Sequence, residues 1–291
     1  MTPIAKLWDM FKVLPLYVMP QHGLSRLVYR ATRCTWYYWK NLLIVVFIRI
    51  YRVDMSIAME PDHHNYKNFN DFFTRQLKDE VRLVTDDPVL IACPVDGSIS
   101  RTGRIVDGNI IQAKGRSFTL AELLAGDGLT AGKFHGGCFA TLYLSPKDYH
   151  RVHMPVDGGL LKMTCVPGRL FAVNPPSTRF IPRLFARNER IINLFSTDHG
   201  LMALVMVGAL CVGSMETVWA GTVTPVTPCE ISARDYETNE TNLQKGQEMG
   251  RFNMGSSVIL LFEPGRMEWL PDLTEGSQVK MGQALGRWIE R

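Results

Sequence analysis

The chain has 291 residues, 46% hydrophobic and 21% charged, which excludes a disordered or collagen-like polymer and allows one sizeable core with an appendage or two modest domains. The net charge of +4 is mild but uneven: residues 1–60 carry eight Lys/Arg against three acids, and the remainder carries 24 against 25. The basic excess therefore lies entirely at the N-terminal end, which argues against a nucleic-acid-binding core and suits a basic arm meeting an anionic surface.

In chain order, residues 1–80 read as helical. Leu7, Met10, Phe11 and Leu14 recur at three- and four-residue steps, and Lys6, Asp9 and Lys12 interrupt what would otherwise resemble an export signal. The stretch CTWYYWKNLLIVVFIRIYRVD (34–54) has its longest uncharged run from Asn41 to Ile48, far short of the ~20 residues that cross a bilayer. Trp36, Tyr37, Tyr38, Trp39 and Tyr51, flanked by Lys40, Arg49 and Arg52, suit a helix lying among lipid headgroups, with a buried core helix as the alternative. NFNDFFTRQLK (68–78) reads as a short helix capped by Asn70.

From about residue 88 short apolar segments alternate with glycine turns, an all-β rhythm that runs through VLIACPVDGSIS (89–100), GGCFATLYLSP (136–146), LMALVMVGALCVGSMETVWAGTVTP (201–225) and SSVILLFEPG (256–265). Thr119 ahead of Leu120, Leu123 and Leu124 predicts one short helix between strands. KGQEMGRF (245–252) echoes MGQALGRW (281–288), which suggests related hairpins, and SARDYETNETNLQ (232–244) reads as a surface loop. The fold class is α+β: N-terminal membrane-associating helices over residues 1–80, then a mainly β, sandwich- or barrel-like catalytic domain over 81–291. The cysteines at 34, 93, 138, 165, 211 and 229 are scattered without a CxxC pair, which points to reduced thiols in a cytosolic protein, with Cys93 and Cys211 as small core residues.

Three segments place polar groups where a β core does not demand them. Asp96 precedes Gly97 at a strand end, where a plain Asp-Gly turn is the simpler reading. His150 and His153 lie three apart and on a helical turn would share one face; structural and acid–base roles are both open, while the lack of a third ligand, an HExxH or a cysteine pair argues against a metal. His63 and His64 fall in a polar loop and read as surface residues. Ser256 follows Gly255 at the mouth of an apolar run. Asp96, His153 and Ser256 form the set that activates a hydroxyl, with the histidine taking the proton and the aspartate orienting the ring. The G-x-S-x-G of hydrolases is absent, and a glycine before the serine leaves the upstream carbonyl open, so an activated Ser256 could attack its own backbone. A conventional serine hydrolase at a membrane, using the same three residues, is the rival.

PVDG (94–97), YLSPKDYHRVHMP (143–155), VPGRLFAVN (166–174), LFARNER (184–190), VGSMETVWAGTVTP (212–225) and KGQEMGRFNMGSSVILLF (245–262) together resemble the bacterial membrane-associated phosphatidylserine decarboxylases. The family's cleavage motif is commonly Leu-Gly-Ser-Thr; here Met254-Gly255-Ser256-Ser257 swaps one apolar side chain and keeps the last hydroxyl. The resemblance implies a self-processing enzyme cut between Gly255 and Ser256 into chains 1–255 and 256–291, with Ser256 becoming a covalent pyruvoyl group and no metal involved. It further implies that Asp96, His153 and Ser256 carry out processing. The pyruvoyl group would form a Schiff base with phosphatidylserine, carbon dioxide would leave, and His150 would protonate the carbanion, giving phosphatidylethanolamine. The implied partners are phosphatidylserine in an anionic membrane surface and the enzyme's own second chain, with a dimer of that pair left open. The implied location is peripheral, on the cytoplasmic face of the cell membrane. Arg187 and Arg190 are either phosphate contacts or solvated surface charges.

Overall fold

The structure is a computed structural model that describes residues 9–11, 13–211, 214–225, 230–237 and 240–289; Leu7, Lys6, Lys12 and Cys229 lie outside them. Three helices open the described chain: α1 (Pro15–Val18), α2 (Gln21–Thr32) and α3 (Tyr37–Tyr51). The helix α4 (Phe69–Phe73) follows. Its cap is Asn68, whose side chain accepts from the Asp71 backbone N–H at 3.0 Å, and not Asn70 as the sequence suggested. Asn70 is the second residue of the helix and reaches instead across the molecule to Asn253.

Among the described residues the strands form four antiparallel sheets. The largest is an open sheet of nine, ordered β12 (Ser232–Asp235), β7 (Gly158–Val166), β8 (Arg190–Thr197), β9 (Gly200–Val207), β15 (Ser256–Phe262), β5 (Cys138–Leu144), β2 (Gly97–Arg104) and β17 (Gln278–Val279), with β13 (Asn242–Leu243) also on β7. A four-stranded sheet runs β11 (Gly221–Thr222), β10 (Met215–Thr217), β14 (Glu248–Phe252), β6 (Arg151–His153). A three-stranded sheet holds β1 (Leu90–Ala92), β18 (Ala284–Trp288) and β16 (Met267–Trp269), and β3 (Asn109–Ala113) pairs with β4 (Arg116–Thr119).

β15 explains the apolar run SSVILLF. It lies in the middle of the large sheet between β5 and β9, and all seven of its residues are buried, so neither face meets solvent. The expected helix after Thr119 forms as α5 (Leu120–Leu123), with a full capping box between Thr119 and Glu122. The KGQEMGRF/MGQALGRW echo is a turn followed by a strand, but the two strands, β14 and β18, belong to different sheets. Gly246 and Gly282 take φ of +84° and +85°, and an added Cβ would come within 2.7 Å of Val84 Cγ2 and 2.5 Å of Leu83 O, so both turns dock on one extended segment and need glycine for it.

Other expectations change. Residues 232–244 are not simply loop: β12 and β13 pair with β7, and as exposed edge strands they need backbone partners but no apolar face. The polar Asn193 hid β8, yet it is fully buried and bonds the Leu204 carbonyl. Three short helices, α6 (Gly128–Lys133), α7 (Pro175–Phe180) and α8 (Leu184–Arg187), interrupt the β region unannounced. Cys93 is buried as expected, whereas Cys211 is half-exposed in a turn at φ +66°.

One continuous core fills the β region. A second cluster, Ile44, Val53, Tyr66, Phe69, Phe72 and Phe73, joins α3 to α4, and Met254 packs against it. Lys40, expected among headgroups, points inward: its ammonium donates to the carbonyls of His64 and Tyr66 at 2.7 and 2.5 Å. The opposite face of α3 exposes Tyr38, Leu42, Val46 and Ile50 at four-residue spacing. No helix among the described residues is long and apolar enough to cross a membrane.

Candidate active site at the junction of two sheets

β14 ends in the small sheet at Phe252 and β15 begins in the large one at Ser256, so residues 253–255 carry the chain from one sheet to the other. The crossing is tightly held. Asn253, fully buried, donates to Ser214 Oγ at 2.6 Å and Glu216 Oε1 at 2.7 Å and accepts from Asn70 Nδ2 at 3.0 Å. Its backbone N–H bonds the Ser214 carbonyl. Burial alone would raise the Glu216 carboxyl, but bonds from Asn253 and Arg251 hold it below its usual value. The next residue, Met254, has φ +145°, a region L side chains rarely enter, at a cost of ~1–3 kcal/mol. Gly255 has open space where a Cβ would stand, so packing does not demand glycine there.

Ser256 is 1% exposed, and its Oγ has no hydrogen-bond partner among the described residues; the same holds for Ser257. Buried hydroxyls are normally satisfied, so two adjacent orphans at one strand end are unusual.

The sequence-selected residues gather at this junction. His153 ends β6, beside β14, and its backbone N–H bonds the Pro94 carbonyl two residues before Asp96. His150 precedes β6, and its carbonyl accepts from the Phe252 N–H. The helical turn expected for the two histidines is absent: residues 151–153 are extended, because the backbone is recruited as an edge strand by β14.

The ring of His153 is oriented differently from the expected aspartate–histidine pair. Nδ1 lies 2.8 Å from the Gly246 carbonyl and must donate to it, which leaves Nε2 to accept from the Tyr149 hydroxyl at 3.1 Å. Burial pushes the imidazole below its ordinary value against the pull of that carbonyl. Asp96, 2% exposed, is held by Arg82 through Nε at 2.8 Å and Nη2 at 2.5 Å, and by the Met281 N–H at 2.9 Å, with the Lys280 ammonium 3.6 Å away. His150 is fully buried, stacks on Phe73 with ring centres 4.2 Å apart, and has no described group on either ring nitrogen in hydrogen-bond geometry. Burial, reinforced by the nearby Arg75 guanidinium, pushes it down to about 3, although the carbonyls of Pro146 and Ser145 favour its charged form. The junction therefore holds two imidazoles that burial biases toward the neutral form, two unpaired hydroxyls and a strained peptide, all buried.

Arg190 is not the solvated surface charge that the sequence allowed, whereas Arg187 stays half-exposed. Arg190 is buried and donates to the carbonyls of Leu123, Ala186, Asn188 and Glu122; burial lowers it to about 10. Arg187 lies over the ring of Phe171 at 4.9 Å. Both tie loops together. Asp62, His63 and His64 are the one group of possible metal ligands brought close among the described residues, at the surface beside Tyr37. Reading the sequence missed Tyr149, Asn253, Asn70 and Arg75. Asn70 and Arg75 stand in the NFNDFFTRQLK string, where their polarity among aromatics was the available signal.

The family described as "Phosphatidylserine decarboxylase" matches residues 69–287, and a second family segment, described as "PSD", matches residues 11–52. The chain is 50% identical to the phosphatidylserine decarboxylase proenzyme of Ectopseudomonas mendocina over 94% of its own length and 96% of that protein's. It is 51% identical to the same-named protein of Methylococcus capsulatus, covering 93% and 94% of the two chains. For that of Alkalilimnicola ehrlichii the identity is 54%, covering 87% and 88%. With the matched region spanning the strained crossing, the orphan serine and both histidines, the chain belongs to the phosphatidylserine decarboxylase family.

Proposed function

We propose that this chain is a phosphatidylserine decarboxylase proenzyme whose Ser256 becomes a covalent pyruvoyl group. The observation that carries the reading is the buried, partnerless Ser256 hydroxyl directly after the strained Met254 and the unobstructed Gly255. In processing, Ser256 Oγ bonds to the Gly255 carbonyl carbon while His153 Nε2, once released by Tyr149, takes the hydroxyl proton. The C–N bond breaks, its nitrogen takes a proton, and an ester replaces the amide. Loss of the Ser256 Cα proton expels the Gly255 carboxylate and leaves dehydroalanine; one water then converts this to the ketone and ammonia. Relief of the Met254 backbone favours the cut state. Asp96, anchored by Arg82 and Met281, adds negative charge near His153 and stabilises the imidazolium formed.

The pyruvoyl group, once formed, supplies an electron sink for decarboxylating an amine-bearing carboxylate. The chain's part is to exclude water with Phe72 and Phe73, and to hold His150, neutral while the site is empty and charged once an anionic substrate enters, as proton donor to the carbon that loses the carboxylate. A hydrolase acting on outside substrates fits less well, because the G-x-S-x-G turn that presents a hydrolase serine is absent.

Residues 1–80 serve as the membrane-associating region and 81–291 as the catalytic domain, supported by the separate aromatic cluster around α3 and α4. We read the large and small sheets as sandwich-like, supported by their shared core. The exposed Tyr38–Leu42–Val46–Ile50 stripe and the N-terminal basic excess support peripheral attachment to the cytoplasmic face of the cell membrane. The test is a denaturing gel with intact-mass analysis of wild type and Ser256→Ala. Wild type should give a 36-residue chain from 256 to 291 without a free amine, and the variant one uncut, inactive chain. A single uncut band from active wild type would refute the reading.

A further inference from the structure

Arg75 follows α4 and is 4% exposed. Its guanidinium is enclosed, yet Nε and Nη1 have no hydrogen-bond partner among the described residues, and Nη2 makes only a 3.4 Å contact with the Lys147 carbonyl. Phe72 lies under it, 5.4 Å from ring centre to Cζ. The preceding residue is fixed, since the Thr74 carbonyl accepts from Arg151 Nε at 2.9 Å. Burial lowers its proton affinity, while the nearby Asp96 and Asp148 raise it. Neither carboxylate closes on it: Asp96 is engaged by Arg82 and Met281, and Asp148 accepts from the Ser145 N–H at 2.8 Å. A buried cation with most of its donors unused is costly unless an anion arrives to meet them.

We propose that Arg75 binds the phosphodiester of the phospholipid substrate. This rests on the reading of Ser256 as the cofactor precursor. Arg75 lies over Phe72, and the adjacent Phe73 stacks on His150, the proposed proton donor to the α-carbon; in a phosphoserine headgroup the phosphorus is three bonds from that carbon. A cation near the donor therefore meets the phosphodiester. The carboxylate is the poorer occupant, because its charge vanishes in the reaction and a guanidinium clamped on it would stabilise the ground state over the transition state. The phosphodiester keeps its charge throughout, so binding it anchors the headgroup without opposing the chemistry. A planar fork of N–H donors suits two phosphate oxygens.

The experiment uses Arg75→Gln and Arg75→Lys in the full chain, with cleavage into two chains checked first by gel. Decarboxylation of phosphatidylserine in mixed micelles is then measured, along with inhibition by phosphatidylethanolamine, which keeps the phosphodiester and lacks the carboxylate. We expect Arg75→Gln to raise KM, and the inhibition constant of phosphatidylethanolamine with it, on the order of 30-fold, with kcat nearly unchanged. Arg75→Lys should recover part of both. If the Gln variant is not cleaved, the Lys variant decides by the same two readouts, each then raised less. An unchanged inhibition constant, whether KM rises or not, overturns the proposal, and a KM rise alone points to the carboxylate. Loss of kcat with both constants unchanged overturns it as well.

Discussion

Asn253→Ala tests whether the crossing between the sheets stores the energy that processing uses. The substitution removes two short side-chain donations, 2.6 Å to Ser214 and 2.7 Å to Glu216, together with the acceptor for Asn70. Glu216 keeps its ion pair with Arg251 at 2.6 Å, so its charge is not orphaned. At ~1–1.5 kcal/mol for each of the three lost bonds, the proenzyme should lose about 3–4.5 kcal/mol of stability. The larger consequence is local. With Asn253 no longer pinned to Ser214 and Asn70, Met254 can leave its +145° backbone and release ~1–3 kcal/mol before the serine attacks. If that strain is otherwise relieved in the transition state, cleavage slows by ~5- to 150-fold. The assay is a time course of the uncut chain on denaturing gels after synthesis, beside a urea unfolding curve of the same variant in the uncleavable Ser256→Ala background. A variant that unfolds more easily but is cut at the wild-type rate would refute the idea that the held backbone assists the cut.

Acidification should destabilise the proenzyme between pH 6.5 and 3. His150 titrates near 3 when folded and near 6.5 when unfolded, so only the unfolded chain gains its proton in that window; at pH 5 the loss is about 2 kcal/mol, read as a lower urea midpoint that His150→Gln largely removes. Cleavage should be flat above pH 7 and fall on acidification, because His153, already pushed below its ordinary value, serves as base only when neutral; a rate that rises toward pH 5 would count against that role. Replacing Leu42 and Ile50 on the exposed face of α3 by Asp should weaken binding to anionic vesicles at least about 10-fold in a sedimentation assay while leaving cleavage intact, since neither side chain supports the aromatic cluster.

The β rhythm, the capped helix at Thr119 and the glycine–serine junction at the mouth of β15 were legible as strings, because turns and caps are local features. Periodicity failed where burial and charge disagreed. Lys40 and Arg190 read as surface cations but are buried on backbone carbonyls, and Asn193 disguised a central strand. The edge strands β12 and β13 carried no signal, because their partner is another strand's backbone and not an apolar face.

What the sequence determined alone was the chemistry: a serine after a glycine, two histidines and an aspartate, and a basic, aromatic N-terminal arm. Only the tertiary structure decided how they are used. It gives His153 to Gly246 and Tyr149 and Asp96 to Arg82, seats Phe72 and Phe73 over the junction, and leaves Ser256 and Arg75 enclosed with unsatisfied polar atoms. The reason is that a hydrogen-bond partner, or the want of one, is set by chain segments far apart in sequence, 185 residues for Asp96 and Met281, and no local pattern encodes that distance.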